Sequence, residues 1–509
     1  MQGEGMSLSA EEKLRVAHAL DELGVGVIEA GFPASNPKEA ELFERLAAES
    51  FSAEIAAFGM TRRAGTDAAA DPGLRVLVEC FAPTCTVVGK TWGLHLEKVI
   101  RVSREENLAM IAESVAHLVA AGKTVVYDAE HFFDAWLDDP GYALECARAA
   151  AGAGASFVAL CDTNGATLPH EVGAVTAEVV AALGVPVAIH AHNDAECGVA
   201  NSLAAVQAGA TMVQGTLNGY GERCGNANLT SIVPNLQLKL GYDVLAPGRL
   251  AHLTATAHYV DELLNFVPDP DQPYVGRSAF AHKGGMHVAG VAADPATFEH
   301  VDPAAVGNDR ALLVSELAGR STVLSQAAER GVALDDAGAA RVAERVKALE
   351  HAGFHFEAAD GSFDLLIRRE TGEYAPLFRL ESWRVIAEKR ADGRVETEAT
   401  VKVWVGGERH VHTAEGNGPV NALDSALRGA IGALYPELRE IKLVNYKVRI
   451  LDEWKATGAV TRVLLDASDG TDSWGAIGVH ENVIEASWDA LVDSLEAGMV
   501  RARAGVPAR

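Results

Sequence analysis

The chain has 509 residues, of which 49% are hydrophobic, and this is enough material for more than one packed core. Its 70 acidic residues outnumber its 43 basic ones, so the formal net charge of -27 argues against a nucleic-acid or anionic-membrane partner, because phosphate binding needs a basic footprint. The sequence has no signal-peptide pattern, no apolar run of bilayer length and no C-x-x-C pair among its six cysteines, so we expect a soluble cytoplasmic protein with several domains.

A helix comes first, with Ser9 as a suitable N-cap and apolar residues continuing to Leu23. From there to about residue 240, short β-branched runs alternate with helices that are rich in Ala and Leu. The predicted strands cover residues 25–30, 54–58, 75–80, 124–128, 157–161, 187–190 and 211–214. This alternation predicts an α/β domain with a parallel sheet.

Seven strands, each followed by a helix, are one fewer than a closed (β/α)8 TIM barrel requires. The deficit lies at the start, where the loop at residues 2–5 precedes a helix and follows no strand. We therefore expect a TIM barrel whose first strand is missing from the sequence. We also expect that the reading frame as written starts too late.

Polar residues collect where the predicted strands end. Glu29 and Glu130 end two of them, and the runs DTN (162–164) and HAHND (190–194) end two more. A TIM barrel assembles its active site at the carboxyl ends of its strands, so these residues predict an active site there.

His190 and His192 are the most specific pair among these residues. Positions i and i+2 of a strand point the same way and lie about 6.6 Å apart along it, so two imidazoles can converge on one metal ion. Asn226, after the next strand, can add an oxygen ligand, although the set then has no anionic member. The alternative is a pair of hydrogen-bonded histidines at a strand end.

Composition changes after residue 240. Three prolines in FVPDPDQPY (266–274) predict a domain seam, and a mostly helical connector follows from 282 to about 355. Beyond residue 377, apolar residues alternate with polar ones at 398–405, which predicts a strand. Leu423 and Leu427 then have helical spacing, and the same succession of strands and a helix occurs a second time. We predict a catalytic barrel at 1–265, a linker and helical connector at 266–370, and an α+β domain at 371–509.

The segments VIEAGFP, LCDTNGATLP, HAHND and GTLNGYGERCGNANL resemble the 2-isopropylmalate, homocitrate and citramalate synthase family. Members of this family condense acetyl-CoA with a 2-oxo acid on a divalent metal. GKTWGLHL (89–96) and AFAHKGGMHVAG are more similar to the citramalate branch. That resemblance implies pyruvate as the second substrate, release of coenzyme A, and the first step of a pyruvate route to isoleucine.

The resemblance also implies roles for particular residues. It implies that His190, His192 and Asn226 hold the metal, which would be Zn, Mn or Mg. It implies proton transfer by Glu130 and His287, and substrate contacts by Thr163, Glu29 and Gln2. The family's first strand ends in T-L-R-D-G-x-Q, of which Gln2 alone is present, so its arginine and its metal-binding aspartate have no counterpart here. Phe298 stands where many relatives have a tyrosine.

The C-terminal region, including GNGPVNALDSAL, resembles the family's allosteric domain. This implies a homodimer with isoleucine as a possible inhibitor, and the alternative is a dimerisation domain without a ligand. For the whole chain, the alternatives are a 2-isopropylmalate or homocitrate synthase, an aldol-type lyase, and a catalytically inactive regulatory paralogue.

Overall fold

Seven parallel strands, in the same order in space as in the sequence, form the sheet of the N-terminal half of the chain. The computed structural model describes residues 3–312 and 320–504. The seven strands are β1 (Val27–Gly31), β2 (Glu54–Met60), β3 (Thr84–Lys90), β4 (Thr124–Glu130), β5 (Phe157–Asp162), β6 (Val187–Ala191) and β7 (Met212–Gln214). All neighbours pair in parallel, so every carboxyl end lies at the same edge of the sheet.

Helices alternate with these strands as the sequence predicted. They are α1 (Ala10–Leu23), α2 (Pro37–Ala47), α3 (Pro72–Glu79), α4 (Gly93–His95), α5 (Arg104–Ala120), α6 (Phe132–Asp138), α7 (Pro140–Gly152), α8 (Pro169–Ala182), α9 (Gly198–Gln207), α10 (Leu229–Pro234) and α11 (Leu253–Leu263). Helix α1 begins with a capping box between Ser9 and Glu12 and ends at Gly24, whose φ of 96° suits glycine.

The predicted strand at residues 75–80 is wrong, because this segment belongs to helix α3. Asp71 accepts hydrogen bonds from the N–H groups of Gly73 and Leu74, and Pro72 occupies the first turn. Leu74 and Leu77 then lie buried on one face at helical spacing. The third strand is instead TCTVVGK (84–90), which is almost continuously buried, as strands covered on both faces are.

The α/β barrel class is confirmed, and the described part of the parallel sheet has seven strands. Its core is continuous, and Leu46, Ile111, Leu118 and Tyr127 are among its fully buried side chains.

The chain divides into two compact units. The first unit consists of two segments, the chain up to Phe280 and the segment Val301–Arg310. The second unit consists of Ala281–His300 and the residues from Ala311 onward. The predicted domain boundaries at 265 and 370 stay a proposal. Among the described residues, no helix combines the length and apolar character that would be needed to span a bilayer.

The second unit begins with β8 (Ala281–His282), α12 (Gly285–Ala293) and β9 (Ala311–Leu312), followed by three helices, α13 (Arg320–Glu329), α14 (Asp336–His351) and α15 (Asp360–Thr371). Two repeats of three antiparallel strands and a helix follow. The first contains β10 (Arg379–Lys389), β11 (Val395–Val405), β12 (Glu408–Gly416) and α16 (Pro419–Ile431); the second contains β13 (Lys442–Ile450), β14 (Thr461–Ser468), β15 (Ser473–His480) and α17 (Val483–Ala504).

The tandem repeat confirms the predicted α+β architecture of this region. Strand β11 buries Ala399, Val401 and Val403 at period two, while α16 buries Leu423 and Leu427 at helical spacing. These residues share one core with those of β14 and α17. The strands β10, β12 and β13 did not stand out in the sequence because most of their residues are exposed.

Candidate active site

His190 and His192 lie at the carboxyl end of β6, on the same side of the strand. The Nε2 atoms of the two rings are 3.3 Å apart, so the two imidazoles face one region of space. Burial, followed by the neighbouring His190 and Arg223, lowers the pKa of His192 to about 4. His192 is therefore neutral at physiological pH, which is the form that binds metals.

Asn226 comes to this pair because the chain after β7 returns along β6. The N–H of Asn193 donates to the carbonyl of Gly225, and the N–H of Ala227 donates to the carbonyl of Ala191. His192 and Asn226 are thereby paired as an isolated β-bridge. Gly225 has a φ of 92°, and a Cβ there would collide with the carbonyl oxygen of Gly219, so glycine is required at this turn.

The donor atoms of this group fit a divalent metal ion. Asn226 donates its Nδ2 to the carbonyl of Tyr220, while its buried Oδ1 has no hydrogen-bond partner among the described residues. Because Asn226 is bridged to His192, this unsatisfied buried acceptor is a suitable oxygen donor for a metal site that includes the two imidazoles. Residues 3–312 and 320–504 contain no cluster of three His, Cys, Asp or Glu side chains able to hold a metal, so the set consists of two imidazoles and an amide oxygen.

Gln214, at the end of β7, bridges His190 to a carboxyl group. Its Oε1 lies 2.8 Å from Nδ1 of His190, and its Nε2 donates to Oδ1 of Asp128 at 2.9 Å. Asp128 is buried on β4, and this burial raises its pKa to about 7; the hydrogen bond from Gln214 opposes the rise, and the charge of Glu130 adds to it. Sequence reasoning missed both residues, although Asp128 stands two positions before Glu130.

Glu130 pairs with Lys90 across the neighbouring ends of β3 and β4. The two residues are register partners, and their side chains form an ion pair that keeps partial access to solvent. A carboxylate in this position can act as a base toward a bound substrate. Lys90 was not predicted, although it lies in the GKTWGLHL motif.

Thr163, directly after β5, accepts a hydrogen bond from the N–H of His131 through its Oγ1 at 2.8 Å. His131 has a φ of 57°, and its ring contacts Asp134 and packs against His95. The hydroxyl proton of Thr163 therefore has freedom to turn toward a ligand. Its predicted substrate contact stays a prediction.

Glu29 lies on β1, where Thr86 of β3 favours its ionised form and so opposes a rise in its pKa. Its side chain keeps solvent access on one side, but surrounding protein reduces its hydration; this loss, and then the charge of Asp128, raise its pKa to about 7. The charge of Asp128 thus disfavours ionisation of Glu29. This interaction had no signal in the sequence because the residues are far apart in the chain.

Two other predicted site residues, Gln2 and His287, do not belong to the described part of the first unit. Gln2 lies outside the described residues. His287 belongs to the second unit, on α12, where it is exposed and its ring stacks on Phe298 with centroids 4.2 Å apart. Phe298 therefore has a packing contact to His287, and proton transfer by His287 stays a prediction.

Three family models match successive parts of the chain. The HMGL-like model matches residues 1–260, the homocitrate synthase post-HMGL domain-like model matches 274–353, and the LeuA allosteric (dimerisation) domain matches 357–499. Together with the parallel barrel sheet and the polar residues at its strand ends, these matches define the class: the chain belongs to the HMGL-like family of enzymes.

Within that family, the chain is similar to proteins named (R)-citramalate synthase. The one from Streptomyces coelicolor is 50% identical over 98% of this chain and 95% of its own length. Those from Synechocystis sp. and Geobacter sulfurreducens are each 46% identical, over 98% and 97% of this chain and 94% of their own lengths. The predicted resemblance to the citramalate branch is confirmed.

Proposed function

We propose that this chain condenses acetyl-CoA with pyruvate to form (R)-citramalate and coenzyme A. The observation that carries the proposal is the identity of 46–50%, over almost the whole chain, to relatives with that name. Such identity over both units favours citramalate formation over 2-isopropylmalate or homocitrate formation, and over a lyase.

The reaction requires a base near the methyl group of acetyl-CoA and a polarised keto group on pyruvate. Glu130 would remove a methyl proton, and Lys90 beside it would hold this carboxylate in place. The resulting carbanion attacks C2 of pyruvate, and hydrolysis of the thioester then releases coenzyme A. Thr163, at the adjacent strand end, would bind the oxo acid.

We further propose that His190, His192 and Asn226 hold a divalent ion, with Zn²⁺, Mn²⁺ and Mg²⁺ as the candidates. Bound there, such an ion would polarise the keto group of pyruvate. The two imidazoles favour Zn²⁺, whereas the amide oxygen also suits Mg²⁺ and Mn²⁺.

Replacing His190 and His192 together by alanine should abolish metal binding, because both nitrogen donors are lost. Metal analysis of purified protein after incubation with Zn²⁺ or Mn²⁺ and desalting would measure this. A surface variant, His170→Ala, should keep the metal content of the unmodified chain. Stoichiometric metal and full turnover in the double variant would refute the site.

The activity itself is tested by coenzyme A release with pyruvate, 2-oxobutyrate, 2-oxoisovalerate and 2-oxoglutarate. Pyruvate should give the highest kcat/KM, because its side chain is the smallest; one methylene changes the preference by roughly 10- to 200-fold. Preference for 2-oxoisovalerate or 2-oxoglutarate would support an isopropylmalate or homocitrate synthase. No turnover with any of the four would support the inactive paralogue.

We propose that the C-terminal domain binds isoleucine in a cavity of about 860 Å³ between the start of α16, strand β13 and the start of α17. Val420, Leu443 and Ile484 supply an apolar lining for the side chain. The N-cap of helix α16 is Gly418, which makes no side-chain capping bond, so the N–H groups of Val420 and Asn421 can donate hydrogen bonds to a carboxylate.

Substituting Val420→Phe should fill part of this cavity and weaken isoleucine binding at least about tenfold, because a packed site that gains volume loses 1–3 kcal/mol. Calorimetric titration of isoleucine into the full chain measures the affinity. Val395→Phe, at an exposed position of β11, is the matched control and should bind as the unmodified chain does. Unchanged isoleucine affinity in Val420→Phe would place the effector site elsewhere.

A further inference from the structure

We propose that Gln214 and Asp128 are positioning residues that fix His190 in the one tautomer able to bind a metal ion through Nε2. The inference deepens the metal site of the proposed function and rests on it. It comes from two hydrogen bonds that join three strand ends, β4, β6 and β7.

The orientation of the side-chain amide of Gln214 follows from its contact with Asp128. An amide has one acceptor oxygen and one donor nitrogen, and either could face His190. Asp128 decides between them, because its Oδ1 accepts the hydrogen bond from this amide. The donor Nε2 of Gln214 therefore faces Asp128, at 2.9 Å, and its acceptor Oε1 faces His190.

The tautomer of His190 follows from its contact with Gln214. Because the oxygen of Gln214 can only accept, Nδ1 of His190, 2.8 Å away, must carry the proton. A neutral imidazole with its proton on Nδ1 has its lone pair on Nε2. That atom is the one that lies 3.3 Å from Nε2 of His192, on the side where the proposed ion would bind.

The two hydrogen bonds of Gln214 are partly shielded from water. Asp128 is only 6% exposed, and Gln214 is half-buried, so water competes poorly for the two hydrogen bonds. Gln214 and Asp128 are separated by 86 residues in the chain, so the pairing depends on the order of the strands in the sheet. A second partner that orients a ligating histidine typically contributes about 10- to 100-fold to metal affinity.

The experiment measures the affinity of the metal-stripped full chain for Co²⁺ alone, by calorimetry and by the visible absorption of the bound ion. Gln214→Met keeps the length of the side chain and removes both hydrogen bonds, so Co²⁺ affinity should fall about 10- to 100-fold. The absorption spectrum should change as well, since a misoriented ring alters the ligand field.

Two variants at Asp128 separate the hydrogen bond from the charge. Asp128→Asn and Asp128→Val both remove the carboxylate, but asparagine keeps an acceptor oxygen for Gln214. We expect Asp128→Val to resemble Gln214→Met, and Asp128→Asn to stay within tenfold of the unmodified chain. Thr176→Val, which replaces a buried hydroxyl on α8, is the control for polar-group removal alone and should bind Co²⁺ normally.

Equal Co²⁺ affinity in Gln214→Met and the unmodified chain would overturn the inference. If Gln214→Met does not fold, equal affinities of Asp128→Asn and Asp128→Val would overturn it instead. Failure of the unmodified chain to bind Co²⁺ would refute the metal site and the inference with it. Failure to form citramalate, with the expected order of affinities intact, would refute the proposed reaction alone.

Discussion

The carboxyl group of Asp128 shows how one buried side chain links the site to the stability of the fold. Burial raises its pKa to about 7, whereas an unfolded aspartate titrates near 3.9. Between these values the folded chain binds more protons at this position than the unfolded chain does. The free energy of unfolding therefore falls as the pH rises from about 4 to 7.

Asp128→Asn should remove this dependence, because asparagine does not titrate. We expect the variant to gain stability relative to the unmodified chain between pH 5 and pH 7, by about 1.4 kcal/mol for each pKa unit of the shift that falls in this range. Urea unfolding at pH 5, 6, 7 and 8 measures the difference. A difference between the two proteins that is the same at all four values would show that Asp128 has an ordinary pKa when folded.

At the scale of one strand, β13 carries an exposed apolar row that the rest of its sheet does not have. Tyr446, Val448 and Ile450 are between 43% and 49% exposed. Tyr446 and Val448 are register partners of the buried Leu465 and Val463, so they lie on the face that packs against α17. In the described part of the chain, β13 pairs with β14 alone and is an edge strand.

We propose that a second copy of this chain covers the row, because residues 357–499 match a model described as an allosteric dimerisation domain. Apolar patches of this kind mark association surfaces. The cavity proposed above for isoleucine borders the same strand, which would couple dimer contacts to isoleucine binding.

Val448→Lys should shift the protein from dimer to monomer, because a buried, unpaired ammonium group opposes association. Sedimentation equilibrium over a range of protein concentrations measures the shift. Val411→Lys is a matched control, because Val411 is also 48% exposed but lies on the outer face of β12, opposite Lys402. A dimer of unchanged affinity in Val448→Lys would locate the interface on another surface.

Helix α15 matters for any attempt to remove the C-terminal domain. It buries Phe363, Leu365 and Ile367, and it packs on α17 and β15. A truncation at residue 377 would remove the packing partners that α17 and β15 supply to this helix. Point substitutions at the cavity are therefore a better test of isoleucine regulation than truncation at this position.

At the scale of the whole molecule, the two compact units have separate hydrophobic cores. The core of the first centres on the barrel sheet, and that of the second on α16, α17 and the sheets beneath them. Units with separate cores unfold as separate cooperative steps unless a large interface joins them.

We expect calorimetry of the full chain to show more than one unfolding transition. Isoleucine should raise the midpoint temperature of one of these transitions, because a ligand stabilises the unit that binds it. At an isoleucine concentration of 100 times Kd, the free energy of unfolding of that unit should increase by about 2.7 kcal/mol. Val420→Phe should lose this shift. A single transition that isoleucine moves as a whole would contradict independent unfolding, and a shift retained in Val420→Phe would contradict the cavity.

The sequence by itself determined the parallel barrel class, the tandem repeat and the polar residues at the strand ends, because apolar period and turn residues are local properties. It misplaced the third strand, since LRVLVEC has β-branched residues and a helical cap at once, and the N–H groups bound by Asp71 favour the helix. His190 and His192 could be paired from the sequence because they are two residues apart.

The tertiary structure decided which groups act on those residues. Lys90 meets Glu130, and Gln214 joins His190 to Asp128, through the order and register of neighbouring strands. The exposure of Tyr446, Val448 and Ile450 on β13 also depends on the tertiary structure, because α17 packs mainly on β14 and β15. Contacts between residues 24 to 86 positions apart have no period in the chain, so they arise only when the sheet forms and brings the strand ends to one edge.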